Sequence, residues 1–348
     1  MDLPTNLDEV EVLLKRIRSA KDLFGADPKK TYHLLVRLTH PDRNPGDKRA
    51  DPLFKEITRQ YESLEVAPVT IKSKKRVYTL LKILAAGDIA DLHLAQSAGH
   101  DKADTDLHDY VLKISRVLNG EKLLDNERKV LAEVLTKAAD TTYRKYFPTL
   151  VESFPAQDKI AKRVNVFTYE PADFYTGEEL HSKIPELTSR HLAWMFKRLL
   201  TAIGFVHRAG YIHGAILPPH IRIQTKSHGI QLTSFSHAVN KGEKIKTISG
   251  KYKEWYPPEV LAKEAAIPET DIYMAAKCMF YLAGVDPNKP ANIPATQIPI
   301  PMQRFFQSCL LPGAKMRPDD AWALHDEFDE LLKTLYGKPR FQHLHVPE

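Results

Sequence analysis

The hydrophobic period of this chain changes twice, and that change limits the folds open to it. Up to about residue 65, apolar residues recur every three or four positions. From Val77 they alternate or run in short β-branched blocks, and from Ser189 to Tyr336 the helical spacing returns. An apolar stripe with helical spacing scatters over both faces of a strand, so the order must be helices, then strands, then helices. The fold class expected is α+β, a small all-α segment followed by a strand-rich and then a helix-rich part. At 348 residues the chain is long enough for one large and one small domain, each with its own core.

In the first segment, Leu7, Val10, Leu13, Leu14 and Ile17 mark a helix, and Leu23 and Phe24 a shorter one before Gly25. Asp27–Pro28 is an N-cap followed by a first-turn proline. Tyr32, Leu35 and Thr39 share one face of the helix it starts, with Leu34 and Leu38 beside them. His40–Pro41 ends that helix, because proline disfavours helical backbone in the residue before it. After the turn-rich NPGDK, Asp51–Pro52 repeats the start signal, and Phe54, Ile57, Tyr61 and Leu64 line a further helix. Two antiparallel helices are therefore joined by a loop that opens on His40, Pro41 and Asp42. Lys30, His33 and Arg37 form a basic stripe opposite the apolar face.

The stretch PKKTYHLLVRLTHPDRNPGDKRADPLFKEITRQYESL resembles the second and third helices of a J-domain, the module of DnaJ-like co-chaperones. The resemblance implies binding to the ATPase domain of a heat-shock-70 chaperone and stimulation of its ATP hydrolysis. His40 and Asp42 would contact the chaperone, Pro41 would fix the turn, and Lys30, His33 and Arg37 would meet an acidic groove. The first helix departs from the pattern: LDEVEVLLKRIRSAKDLFG lacks the aromatic-rich start.

Residues 66–76, VAPVTIKSKKR, read as a basic linker in which Lys72, Lys74, Lys75 and Arg76 stand without an acid. Strands follow at Val77–Leu84, Ala90–Ala95 and Tyr110–Ile114, the last two separated by the exposed polar loop SAGHDKADTDLHD. The aspartates of that loop have no EF-hand spacing. A helix is expected at about 120–138, with short strands near Thr149–Phe154 and Val164–Tyr169.

From Val77 onward many short pieces, in order, resemble the protein-kinase fold. LLKILAAGDIADLHLA stands at the phosphate-covering loop, YVLKIS at the lysine strand and NERKVL at the helix that bears its glutamate. FVHRAGYIHGAILPPHIRIQ stands at the catalytic loop and GIQLTSFSHAV at the metal-binding loop. WYPPEVL, TDIYMAAKCMFYL and KMRPDDAWAL follow at the Ala-Pro-Glu position, the buried helix and the late arginine. The resemblance implies a J-domain at 1–65, a linker at 66–76 and a kinase-like domain at 77–335. Its β-rich lobe would cover about 77–170, its α-rich lobe about 171–335, with a tail at 336–348.

Phosphoryl transfer requires a carboxylate base, two metal-holding side chains and a cation on the phosphates. By this resemblance the base position is Ala215, the loop lysine Leu217, the metal-ligand asparagine His220 and the metal-ligand aspartate Ser234. Of the three phosphate-loop glycines only Gly87 remains, with Ala85 and Ala90 at the others. Lys113 and Glu127 retain the lysine–helix pair and could bind ATP. Glu259 and Arg317 retain a buried ion pair, and Asp271 retains the residue that holds the loop at His213. The expectation is a catalytically inactive kinase-like domain (a pseudokinase) with no obligatory cofactor; the alternative is an atypical phosphotransferase using Lys113.

His207, His213, His220 and His237 lack tight ligand spacing, and no metal is expected. Cys278 and Cys309 lie in apolar helical stretches and are expected to be buried, reduced thiols. Net charge is +6 with basic and acidic residues mostly interleaved, which permits nucleic-acid binding without arguing strongly for it. No apolar run is long enough to span a membrane and MDLPTNLDEV is unlike a secretion signal, so a cytoplasmic location is expected.

Overall fold

The computed structural model describes residues 3–65, 69–98, 106–117, 120–138, 141–156, 163–170, 174–290, 293–294, 296–338 and 340–347. The expected loop at 97–109 falls largely, and the start of the expected linker entirely, outside them. The chain divides into two compact units: residues 1–116 with 154–162 and 348, and residues 117–153 with 163–347.

The first unit begins with four helices, α1 (Leu7–Arg16), α2 (Ala20–Phe24), α3 (Pro28–Thr39) and α4 (Ala50–Glu62). Side chains of Asn6, Ser19 and Asp27 cap the first three by accepting bonds from amides in the opening turn. Val10, Leu13, Ile17, Leu23, Phe24, Leu35 and Ile57 form the core of this helical segment. The aromatic packing missing from the start of α1 comes from elsewhere. Tyr32 and Tyr61 stack at 4.1 Å, and Phe24 from α2 meets Tyr61 edge-on at 5.4 Å.

Strands β1 (Thr70–Lys72), β2 (Val77–Ala86), β3 (Ala90–Ala98) and β4 (Leu107–Ser115) complete the unit as consecutive neighbours in an antiparallel sheet. Part of the segment read as a linker is therefore strand. Thr70, Ile71 and Lys72 pair with Thr79, Tyr78 and Val77, and the Ser73 hydroxyl accepts from Lys75 N and Arg76 N to close the turn. Polar composition pointed to a tether, whereas a three-residue edge strand needs only one covered face. β2 carries irregularities on either side of Lys82–Ile83.

In the second unit, α5 (Gly120–Lys137) and α6 (Thr141–Arg144) precede β5 (Leu150–Pro155), whose last two residues count with the first unit, and then β6 (Arg163–Thr168) and β7 (Phe174–Thr176). α7 (Gly177–Lys183) starts on a reciprocal Thr176–Glu179 capping box and leads to α8 (Ser189–Arg208). Short strands β8 (Tyr211–Ile212), β9 (Ile221–Gln224), β10 (Gly229–Leu232) and β11 (Val239–Asn240) frame the loops between them. Helices α9 (Pro258–Leu261), α10 (Pro268–Leu282), α11 (Ile300–Ser308) and α12 (Ala321–Tyr336) finish the fold. α8 and α10 are buried along most of their length, and Phe196, Phe280, Phe306 and Phe328 interlock where α8, α10, α11 and α12 meet. No helix among the described residues is long and apolar enough to cross a membrane.

Candidate functional site

The loop after α3 is held by its own side chains. Pro41–Arg43 form one 3-10 turn, with His40 O accepting from Arg43 N at 3.0 Å. Asn44 donates its amide to Leu38 O at 2.8 Å and to His40 O at 3.0 Å, tying the loop to the last turn of α3. The His40 ring meets Phe54 edge-on at 5.5 Å, and its Nδ1 accepts from Asp42 N at 3.2 Å. In the neutral ring the proton therefore sits on Nε2.

The Asp42 side chain is 90% exposed and that of His40 42%. Lys30, His33 and Arg37 are all exposed, and neither Lys30 nor Arg37 has an acidic partner among the described residues. The structure thus gathers an imidazole, a carboxylate and a basic stripe on the outside of one helical hairpin. Arg49 clamps the segment by bonding Asp47, Asp8 and Glu11. The guanidinium of Arg49 draws the Asp47 carboxyl down to about 2.

The loop from His213 to His220 is built in the opposite manner, from the inside. Asp271, fully buried in α10, accepts from His213 N at 2.7 Å and Gly214 N at 2.8 Å, and bonds His207 Nε2 at 2.9 Å. His213 Nε2 donates to Thr233 O, and its Nδ1 accepts from Ala215 N. Burial holds its imidazole down to about 4, so the ring is neutral. Gly214 has φ +69°, and a Cβ there would lie 3.2 Å from His237 O.

Ala215 and Leu217 are wholly buried. A methyl and an isobutyl group offer nothing to accept a proton or contact a phosphate. His220 donates Nδ1–H to Ala215 O at 2.7 Å, and His237 Nδ1 bonds Thr247 O at 2.8 Å. Ser234 takes the left-handed conformation, φ +71°, at the start of a 3-10 turn. These donors are imidazole, hydroxyl and backbone carbonyl, a poor match to magnesium, which takes carboxylate oxygens. No three His, Cys, Asp or Glu residues gather into a metal-binding group among the described residues.

Lys113 lies on β4 opposite Leu92 and is 7% exposed. Glu127, on α5, is 2% exposed and accepts from Asn165 Nδ2 at 2.9 Å. Gly87 turns β2 into β3, where a Cβ would come within 2.7 Å of Ala90 O. Glu259 and Arg317 form a buried two-pronged pair at 2.8 and 3.2 Å, with Arg317 over the Tyr273 ring. Cys278 and Cys309 are buried free thiols, and burial raises the Cys309 thiol to about 12. Sequence reasoning missed Asn44, Asn165 and Gly214; the asparagines serve partners six and thirty-eight residues away, with no spacing to reveal them.

No protein-family model matches the chain. Chaperone protein DnaJ 2 of Corynebacterium efficiens is 41% identical over 71 residues, 20% of this chain and 17% of that protein. Chaperone protein DnaJ of Desulfotalea psychrophila is 50% identical over 50 residues, 14% of this chain and 12% of that one. The chain thus spans less than a fifth of the length of these relatives. Among solved structures, the BubR1 kinase domain is similar with a TM-score of 0.58 at 12% identity, covering 83% of this chain and 94% of that one. An identity so low speaks for the fold alone. The chain combines a DnaJ-like segment with a protein-kinase-like fold.

Proposed function

We propose that the chain is a J-domain co-chaperone. Its helical hairpin recruits a heat-shock-70 chaperone and stimulates its ATPase, and its kinase-like part serves as a catalytically inactive binding module for a client or assembly partner. The observation that carries the reading is the contrast between two loops. The His40–Asp42 loop is pinned from within by Asn44 and presents its polar groups to solvent. The His213–His220 loop turns its polar groups onto Asp271 and its own backbone, and by the kinase-fold resemblance Ala215 stands where phosphoryl transfer needs a base.

Docking through the exposed stripe would be fast, weak and salt-sensitive. The test is steady-state ATPase stimulation of a heat-shock-70 chaperone by the full chain. Wild type should stimulate, while His40→Gln and Asp42→Asn should not. Equal rates for all three reject the proposal.

A second reading rests on the buried Lys113: ATP held without turnover, or used by an atypical phosphotransferase. Labelled-ATP transfer that disappears with Lys113→Ala would favour the enzyme. A melting-temperature rise with ATP and magnesium but no transfer would favour binding alone.

A further inference from the structure

The helical segment and the strands β1–β4 belong to one compact unit, and a small set of polar contacts joins them. α1 ends at Arg16; the Ile17 amide still bonds Leu13 O, and the carbonyls after it lie past the helical ladder. The ammonium of Lys82, from β2, donates to Ile17 O at 2.6 Å and to Lys15 O at 3.3 Å. Lys82 lies where the β2–β3 pairing breaks step, between the two irregularities of β2. Half-burial pushes its pKa down, and Glu56 of α4 pulls it back up. One residue beyond the capped turn, Arg18 pairs with Asp109 of β4 at 3.2 Å. Gln96 of β3 donates to the other oxygen of that carboxylate at 2.9 Å, setting its orientation.

We infer that Lys82 and the Arg18–Asp109 pair lock the DnaJ-like segment onto the sheet, so that the His40–Asp42 loop is presented in one fixed orientation rather than on a free tether. Two features make this specific. The Lys82 and Arg18 contacts join residues 65 to 91 positions apart at the same end of α1, and Gln96, orienting Asp109, brings in a third strand. A cation at a helix C-terminus also meets the negative end of the helix dipole, so Lys82 suits this place electrostatically as well as by hydrogen bonding. None of Lys30, His33, Arg37, His40 and Asp42 contributes to the lock. A chaperone could dock without breaking it, and this functional consequence rests on the co-chaperone reading above.

The test uses the full chain with spin labels at Lys29→Cys on α3 and Ala98→Cys on β3, both exposed positions; Cys278 and Cys309 are buried. The distance distribution should be single and narrow. Lys82→Met, which keeps the apolar stem without the bonds, should shift and widen it, as should Arg18→Asp. Combining Arg18→Asp with Asp109→Arg should restore the narrow form, a recovery that general loss of folding would not give. A broad distribution in the labelled wild type overturns the inference, as does an unchanged one in Lys82→Met and Arg18→Asp, or a charge swap that fails to recover. His40→Gln should abolish stimulation and leave the distance untouched, so failure of the lock and failure of the chaperone reading are separately visible.

Discussion

Arg317 is closed off from water, with its fork on Glu259, its Nε–H on Leu311 O and its plane over Tyr273. Removing one partner leaves a charge buried without compensation, so Arg317→Ala should cost about 3–5 kcal/mol by chemical denaturation. Its replacement together with Glu259→Leu should cost less than either single change. His213 sets a pH dependence. Burial holds its folded value at about 4, against roughly 6.5 for an unfolded imidazole. Between these values the unfolded chain binds the extra proton, so stability is complete above about pH 6.5 and declines as pH falls toward 4. The shift corresponds to roughly 3 kcal/mol. His191, lowered to about 4 by burial and by His228, acts in the same direction. Unfolding free energies at about pH 7.5 and 5 should therefore differ in wild type, and differ less in a His213→Asn variant. Parallel pH profiles would show that His213 is not the group responsible.

At the scale of elements, a glycine inside α8 marks close packing. A Cβ on Gly204 would lie 2.5 Å from the Trp322 ring of α12. Alanine gains about 1 kcal/mol in helix propensity, but overpacking costs about 1–3 kcal/mol, so Gly204→Ala should lower the melting temperature. A rise would show that the two helices can shift apart freely. In the α3–α4 connection, Asn44→Ala removes both bonds to the last turn of α3, and it should reduce chaperone stimulation while circular dichroism stays unchanged.

These two cases also show what could be read in advance. The cap at Asp27 and the stop at His40–Pro41 act within four residues, so the sequence displays helical hairpin and loop together. The kinase-like fold was legible because many short pieces stand in a recognisable order. The strand at Thr70–Lys72, the Lys82 cap on α1 and the Asn165 bond to Glu127 were not. Each joins residues that leave no periodic trace, and each depends on which surfaces the fold brings together.

For the molecule as a whole, charged residues are used differently in the two units. The second unit uses its notable polar residues internally, Asp271 on backbone amides and Arg317 on Glu259. The stripe of Lys30 and Arg37 has no such internal use, and the chain carries a net charge of +6. A positive surface of this kind raises encounter rates with an acidic partner, and salt screens the effect because the Debye length is about 10 Å at 0.1 M. Association with a heat-shock-70 chaperone should therefore slow as salt is raised, with dissociation changing much less, since rim charges act chiefly on the approach. Reversing Lys30 and Arg37 to glutamate should slow association at low salt and flatten its salt dependence. Stopped-flow rates across a salt series would read both quantities. A salt-independent association rate in wild type would place the recognition elsewhere, because an exposed basic helix face cannot steer a partner without being screened.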